Sequence, residues 1–135
     1  MRISYPIVVT TMLSLELAII PAAWSDPAND ACTALANTRS ALYSMLTVKD
    51  KTALDGLNAK VQATSARLDS VLAGMSGADA KLAAEFQAVW NQFKMTRDEQ
   101  IIPALYKGDM DDAKKIADGI QLTRLSKMWS IMSCK

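Results

Sequence analysis

Apolar residues recur every three or four positions along most of the chain, which is the spacing of one face of an α-helix. The clearest run lies between residues 51 and 75, where steps of three and four alternate as they do along the seam of a helical bundle. Its members are Leu54, Leu57, Val61, Thr64, Leu68, Val71 and Met75. The strict alternation typical of strands does not occur, so the pattern predicts an all-α fold.

Glycine, proline and short polar stretches divide this pattern into four helices. We expect the helices over about Asn29–Leu46, Lys51–Ala73, Ala78–Tyr106 and Met110–Ser133. Ser76 with Asp79 resembles a capping box that opens the third helix, and Asp109 is expected to cap the fourth. Gly108 should end the third helix, and Pro103 should kink its last turns.

The helical periodicity also predicts which residues form the core. Besides the run in the second helix, they are Leu35, Thr38, Leu42 and Met45 in the first helix, Leu82, Phe86, Val89 or Trp90, Phe93, Ile101 and Leu105 in the third, and Ala113, Ile116, Ile120, Met128 and Ile131 in the fourth. Because the connections are short, neighbouring helices must run antiparallel. The predicted architecture is an antiparallel up-down-up-down four-helix bundle.

Cys32 and Cys134 are the two cysteines of the chain and lie near the start of the first helix and the end of the fourth. In an up-down-up-down bundle both positions fall at the same pole. The pair therefore predicts a disulfide, which belongs to an oxidising compartment. Closing so long a loop stabilises the fold by roughly 4 kcal/mol in the chain-entropy model.

The first 25 residues have the composition of a secretory signal peptide. Met1-Arg2 gives a positive start, Ile7 to Ile20 is mostly apolar, and Ala23-Trp24-Ser25 before Asp26 fits a cleavage site. The apolar run is shorter than the roughly 20 residues that cross a bilayer, so a retained membrane anchor is the weaker alternative. We expect that residues 26–135 form the mature domain and that this domain is periplasmic or secreted.

Charge and composition argue against several function classes. Cleavage removes only Arg2 and Glu16 from the 15 basic and 14 acidic residues, so the mature chain is nearly neutral and nucleic acid is not an expected partner. The chain has no histidine, which is the commonest general base and a frequent ligand of zinc and haem. We expect neither an enzyme nor a resident cofactor or metal.

Three arginines, Arg39, Arg67 and Arg124, fall at similar heights when residues are counted from the disulfide pole at about 1.5 Å each. Anion-binding sites often use arginine, because its planar guanidinium can form bidentate hydrogen bonds with a carboxylate. Neighbouring hydroxyls could assist them, namely Thr38, Thr64 and Thr123. The sequence thus suggests a shared ligand site, and the alternative is that each arginine is a solvated surface residue near an acid such as Asp69 or Asp98.

Other candidate groups have simpler explanations. Met75, Met128 and Met132 collect near the disulfide pole and could hold Cu(I) or iron, although flexible core packing also explains them. The acidic groups Asp98-Glu99 and Asp109-x-Asp111-Asp112 could bind a hard cation, but acids at the start of a helix favour its dipole. Trp90, Trp129 and Tyr106 are expected in the core or at its boundary.

Residues 86–128 contain Trp90-Asn-Gln-Phe-Lys-Met-Thr-Arg-Asp-Glu-Gln-Ile-Ile-Pro-Ala-Leu-Tyr-Lys-Gly-Asp109, followed by an alanine-containing fourth helix with Arg124-x-x-x-Met128. This stretch resembles the second half of the four-helix-bundle sensor domain of bacterial methyl-accepting chemoreceptors and sensor kinases. The resemblance implies a periplasmic ligand-sensing module for an organic acid or amino acid, a homodimer, and a membrane-bound signalling partner. Those domains use basic residues late in helix one, where Tyr43 to Lys51 offers lysines but no arginine.

Two alternatives stay open. Periplasmic b-type cytochromes are also short bundles with an alanine-rich last helix containing a Thr-Arg pair, and their haem histidine falls near Met128 in this chain. Haem ligation here would need an unusual pair such as two thioethers. A helical periplasmic chaperone or adaptor would instead need a broad exposed apolar face.

Overall fold

A computed structural model describes residues 26–135, and the predicted signal peptide lies outside these residues. Helix α1 is Pro27–Met45 and α2 is Lys51–Ala73. Helix α3 covers 79–107 as Asp79–Thr96, a π-helical turn Arg97–Ile101, and Ile102–Lys107. Helix α4 covers 110–131 as Met110–Ile116, a second π-helical turn Ala117–Gln121, and Leu122–Ile131. The described chain is a four-helix all-α fold without strands, which confirms the predicted fold class.

Aspartate side chains cap the first two helices, although neither cap was predicted from the sequence. Asp26 and Asp50 cap α1 and α2, accepting hydrogen bonds from the backbone N–H groups of Ala28 (3.1 Å) and Ala53 (2.9 Å). The predicted capping box at Ser76 is wrong, because α3 has no side-chain cap. Asp109 is the N-cap residue of α4 as predicted, but its side chain makes no capping hydrogen bond. Backbone hydrogen bonds from residues 79 and 80 to residues 76 and 77 open α3 instead.

The predicted core is buried for most of its members. The four positions of α1 are fully buried, as are Val61 and Leu68 of α2 and Phe86, Trp90 and Phe93 of α3. The rings of Trp90 and Phe93 stack with centroids 5.6 Å apart. Gly108 ends α3 with φ of +83°, a left-handed conformation that glycine adopts without a Cβ penalty.

Side-chain contacts show that α2 and α3 run in opposite directions. Asp69 late in α2 contacts Trp90 and Lys94 in α3, whereas Asp55 early in α2 contacts Tyr106 at the end of α3. Cys32 at the start of α1 is bonded to Cys134 after the end of α4. These are the contacts that an antiparallel order produces, and they leave α1 and α4 side by side.

The irregularity expected at Pro103 lies one turn earlier, at the π-helical turn Arg97–Ile101. Proline has no N–H, and its ring meets the carbonyl of the residue four positions before it, here Glu99. Glu99 lies inside the wider π-helical turn, so the helix accommodates the proline ring and continues past Pro103.

The second π-helical turn corrects the prediction for Ile120. We expected Ile120 in the core, but it is 50% exposed and Gln121 is fully buried in its place. Gly119, with φ of −95° and ψ of −109°, leaves the helical conformation within this turn. A π-turn contains more residues per turn than an α-helix, so every position after it is rotated relative to an uninterrupted helix.

The predicted disulfide joins Cys32 and Cys134, whose Cα atoms are 5.7 Å apart. Such a bond is typical of non-reducing compartments. A search of the helices in residues 26–135 for one long and apolar enough to cross a membrane finds no candidate.

Candidate functional site

The best candidate for a functional site is a groove of about 560 Å³ between α1 and α4, which we call the α1/α4 groove. Helix α1 contributes Arg39 to it. The α4 side is formed by Leu122, Leu125, Ser126, Trp129 and Ser130, with Ser133 and Cys134 at one end. The groove therefore combines one cation, several hydroxyls and an apolar wall.

One bond at each end holds the two walls of the α1/α4 groove together. At one end is the Cys32–Cys134 disulfide. At the other, the Tyr43 hydroxyl donates to the Ala117 carbonyl at 2.9 Å, which is the one hydrogen bond between α1 and α4 in residues 26–135. Burial and the nearby Asp118 carboxylate raise the pKa of Tyr43 above 10.0, against an opposing effect of Arg39. The tyrosine is therefore a neutral donor at physiological pH.

Arg39 is exposed, and its guanidinium carbon lies 5.4 Å from the centre of the Tyr43 ring. Stacking over the ring leaves the N–H groups at the edge of the guanidinium free to donate. Within residues 26–135, the salt bridges and side-chain hydrogen bonds do not involve Arg39. It is a cation at the edge of a groove with no carboxylate partner in the described chain.

The other predicted ligand residues lie in different surroundings. Arg67 and Thr123 are exposed. Thr38 is buried and donates to the Ala34 carbonyl at 3.0 Å, and Thr64 donates to carbonyls of its own helix. Arg124 donates to Thr96 Oγ1 (2.6 Å), Gln121 Oε1 (2.9 Å) and the Gln92 carbonyl (3.2 Å). Only Arg39 of the three predicted arginines borders the α1/α4 groove.

A buried arginine that the sequence pattern does not single out lies in the first π-helical turn. Arg97 is 1% exposed and donates to both carboxylate oxygens of Asp98, at 2.8 and 3.1 Å. It also donates to Ser65 Oγ at 2.6 Å and lies 5.8 Å from the centre of the Trp90 ring. The available signal was its position on the buried stripe of α3, four residues after Phe93 and four before Ile101.

Gln121 forms the second buried polar group. Its amide donates to the Phe93 carbonyl at 2.9 Å and accepts from Arg124. Within the described residues no buried side-chain nitrogen or oxygen lacks a hydrogen-bond partner. The buried polar side chains of the two π-helical turns, Arg97 and Gln121, are therefore satisfied by protein contacts that join helices.

The predicted methionine and aromatic residues differ in exposure, and Tyr106 is 38% exposed. Met75, Met128 and Met132 are buried in the hydrophobic core. Residues 26–135 contain no group of three or more histidine, cysteine or acidic side chains placed to hold a metal. Trp90 is a core residue whose indole N–H donates to Asp69 at 2.7 Å, whereas Trp129 is half-buried beside the α1/α4 groove.

Comparison with known proteins gives no relative from which a role could be read. A scan against protein-family models and searches of curated proteins and of solved structures found no match to this chain.

Proposed function

We propose that residues 26–135 form an exported, non-enzymatic module that binds a small organic carboxylate in the α1/α4 groove. The observation that carries this proposal is the exposed Arg39 guanidinium, which borders the groove and has no carboxylate partner within the described residues. An arginine fork matches a carboxylate in charge and in geometry, because two parallel N–H groups can reach its two oxygens.

The remaining groove wall suits the rest of such a ligand. Ser126 and Ser130 are exposed hydroxyls on the α4 side, and Leu122 and Trp129 offer apolar surface beside them, whereas the lining residue Leu125 is buried. Sites for small molecules are concave, mostly apolar and equipped with a few polar groups that fix orientation. A groove of about 560 Å³ lies within the range of about 300–1,000 Å³ typical of such sites.

Two further features support export and sensing as parts of the proposal. The disulfide fits an oxidising compartment, and the predicted signal peptide would deliver the chain to the periplasm or outside the cell. The resemblance to chemoreceptor sensor domains supports a sensory role, in which a homodimer reports ligand binding to a membrane-bound partner. An amino acid or an organic acid is the ligand class that this resemblance favours.

A protein-interaction role is the second candidate, favoured by the exposed apolar side chains Met95, Ile120 and Leu122. Apolar side chains that remain exposed in a folded domain mark contact surfaces when they form a contiguous patch. Leu122 also lines the α1/α4 groove, so a partner protein on this side of α4 would compete with the small-molecule site.

The proposal is tested by thermal melting and titration calorimetry of oxidised residues 26–135 against a panel of small organic acids. A ligand at 100 times its dissociation constant should add about 2.7 kcal/mol to the free energy of unfolding. Arg39→Ala should abolish this stabilisation, and Arg67→Ala should preserve it, because Arg67 is an equally exposed arginine outside the groove.

Arg39→Lys adds a test of geometry, since lysine keeps the charge but loses the two-toothed fork. We expect it to bind the acid more weakly than the parent chain and more strongly than Arg39→Ala. Stabilisation that survives Arg39→Ala would contradict the assignment of the site, and the absence of any response to carboxylates would favour the protein-interaction role.

A further inference from the structure

The charges along the α1/α4 groove discriminate between classes of carboxylate. Its lining, as far as the described residues form it, contains one cation, Arg39, and no carboxylate side chain. The Asp118 carboxylate raises the pKa of Tyr43 at one end of the groove, but Asp118 is not one of the lining residues. A ligand held by Arg39 would therefore find a partner for one negative charge and none for a positive one.

An α-amino acid fits this arrangement poorly. Its ammonium group would be placed near Arg39 whenever its carboxylate is bound, and no acidic side chain of the lining could pair with it. A charged group that gives up water without gaining a partner loses free energy. A dicarboxylate has the opposite defect, because its second carboxylate would lie against Leu122, Leu125 or Trp129 rather than a second cation.

The apolar wall indicates what the rest of the ligand should be. Trp129 lies one helical turn from Ser126 on α4, and it is half-buried, so part of its indole surface is open. In the described residues the stacked aromatic pair is Trp90 with Phe93, and Trp129 has no aromatic partner of its own. An aromatic ring beside an open indole gains stacking beyond the burial of its area.

We infer that the ligand class of the α1/α4 groove is an aromatic monocarboxylate without an amino group, bound with its carboxylate on Arg39 and its ring on Trp129. This inference rests on the proposed function and narrows it. It distinguishes organic acids from amino acids, which the sequence alone does not distinguish as ligands.

Hydrocinnamate and L-phenylalanine provide a matched pair of probes, because they differ only by the α-ammonium group. Calorimetry on the oxidised chain should show that hydrocinnamate binds at least about tenfold more tightly than phenylalanine. This factor reflects the cost of partly burying the α-ammonium group of phenylalanine without a partner. Succinate tests the second carboxylate, and phenethyl alcohol tests the need for any charge. Both should bind more weakly than hydrocinnamate.

The ring contact is tested by Trp129→Leu and Trp129→Phe, compared with the parent chain by melting to verify folding. Trp129→Leu should weaken hydrocinnamate binding by about two- to tenfold, the range of an aromatic pair, and Trp129→Phe should weaken it less. Hexanoate should be affected little by either change, because it has no ring to stack.

The outcomes separate this inference from the proposed function. If phenylalanine or succinate binds as tightly as hydrocinnamate and depends on Arg39, the proposed function stands and the aromatic monocarboxylate class is overturned. If hydrocinnamate binding is unaffected by Trp129→Leu, the ring contact is wrong. If no carboxylate binds at all, both the inference and the proposed function fail.

Discussion

Arg97 and Arg39 occupy opposite environments in the same bundle. Arg97 is buried, and three of its hydrogen bonds go to Asp98 and Ser65. Arg39 is exposed and has only the Tyr43 ring beneath it. A buried guanidinium is tolerated only where protein groups replace its hydrogen bonds to water, so Arg97 has a structural role. The exposed guanidinium of Arg39 keeps its hydrogen-bonding capacity for a ligand.

Asp98→Ala should destabilise the protein, because it removes the carboxylate that neutralises the Arg97 guanidinium. Asp98 is itself partly exposed and water can enter at that side, so we expect a loss of about 1–3 kcal/mol rather than the full cost of an isolated buried charge. Urea denaturation of the parent and variant chains measures this difference.

The double variant Arg97→Met with Asp98→Ala provides the control. Replacing both members of a buried pair with apolar groups is often close to neutral, because no charge is left without a partner. The double variant should therefore be more stable than Asp98→Ala alone. If Asp98→Ala changes the free energy of unfolding by less than about 0.5 kcal/mol, the pair does not stabilise the fold as described.

The sequence could not identify Arg97 as the buried arginine for a local reason. Residues adjacent in sequence do not face each other on an α-helix, so Arg97 and Asp98 do not resemble a pair. The π-helical turn Arg97–Ile101 changes this local geometry. Thr38, in contrast, was predicted from its helical spacing and is buried as predicted, although its hydroxyl is used by the Ala34 carbonyl.

At the scale of the elements, the two π-helical turns set which residues α3 and α4 bury. Arg97 of the first turn donates to Ser65 of α2, and Gln121 of the second turn donates to the Phe93 carbonyl of α3. Arg124, one turn further along α4, donates back to Thr96 on α3. These hydrogen bonds fix the register between the two helices.

Substitutions at two adjacent positions test the register of α4. Ile120→Gln should change the free energy of unfolding by less than about 0.5 kcal/mol, because the side chain is already exposed. Gln121→Ala should cost about 1–3 kcal/mol, because buried polar partners lose their hydrogen bonds. The apolar pattern of the sequence predicts the reverse order, and finding that order by urea denaturation would contradict the burial of Gln121.

The helix bounds were largely predictable, whereas the two π-helical turns were not. The predicted α2, Lys51–Ala73, agrees with the structure at both ends because an aspartate cap and a glycine bound it. Pro103 indicated that α3 would be irregular, but it did not indicate that the irregularity would be a π-helical turn. Gly119 was the corresponding signal in α4, and a single glycine inside a helical pattern does not specify a π-turn.

At the scale of the whole molecule, the order of the four helices brings the two ends of the described chain together. This made the Cys32–Cys134 bond predictable from topology, and the structure confirms it. The same order makes α1 and α4 neighbours, joined by that disulfide and by the Tyr43 hydrogen bond. The α1/α4 groove lies between these two bonds, so its width is fixed at both ends.

The α1/α4 groove itself could not be predicted from residue spacing. Counting along single helices suggested one level for Arg39, Arg67 and Arg124, but height alone does not tell which side of the bundle each arginine faces. That depends on the rotation of each helix and, for Arg124, on the π-helical turn before it. The structure leaves Arg39 as the predicted arginine that borders the groove.

The most direct test of the proposed binding site is to titrate nitrogen-15-labelled residues 26–135 with hydrocinnamate and to monitor the two indole N–H signals of these residues. Trp129 borders the α1/α4 groove, whereas Trp90 is buried and hydrogen-bonded to Asp69 between α2 and α3, so it serves as an internal control. Binding in the groove predicts a saturable shift of the Trp129 signal, which should be lost in Arg39→Ala, and a Trp90 signal that does not change in either chain. A saturable shift of Trp90 alone, or no shift of either indole, would contradict the account.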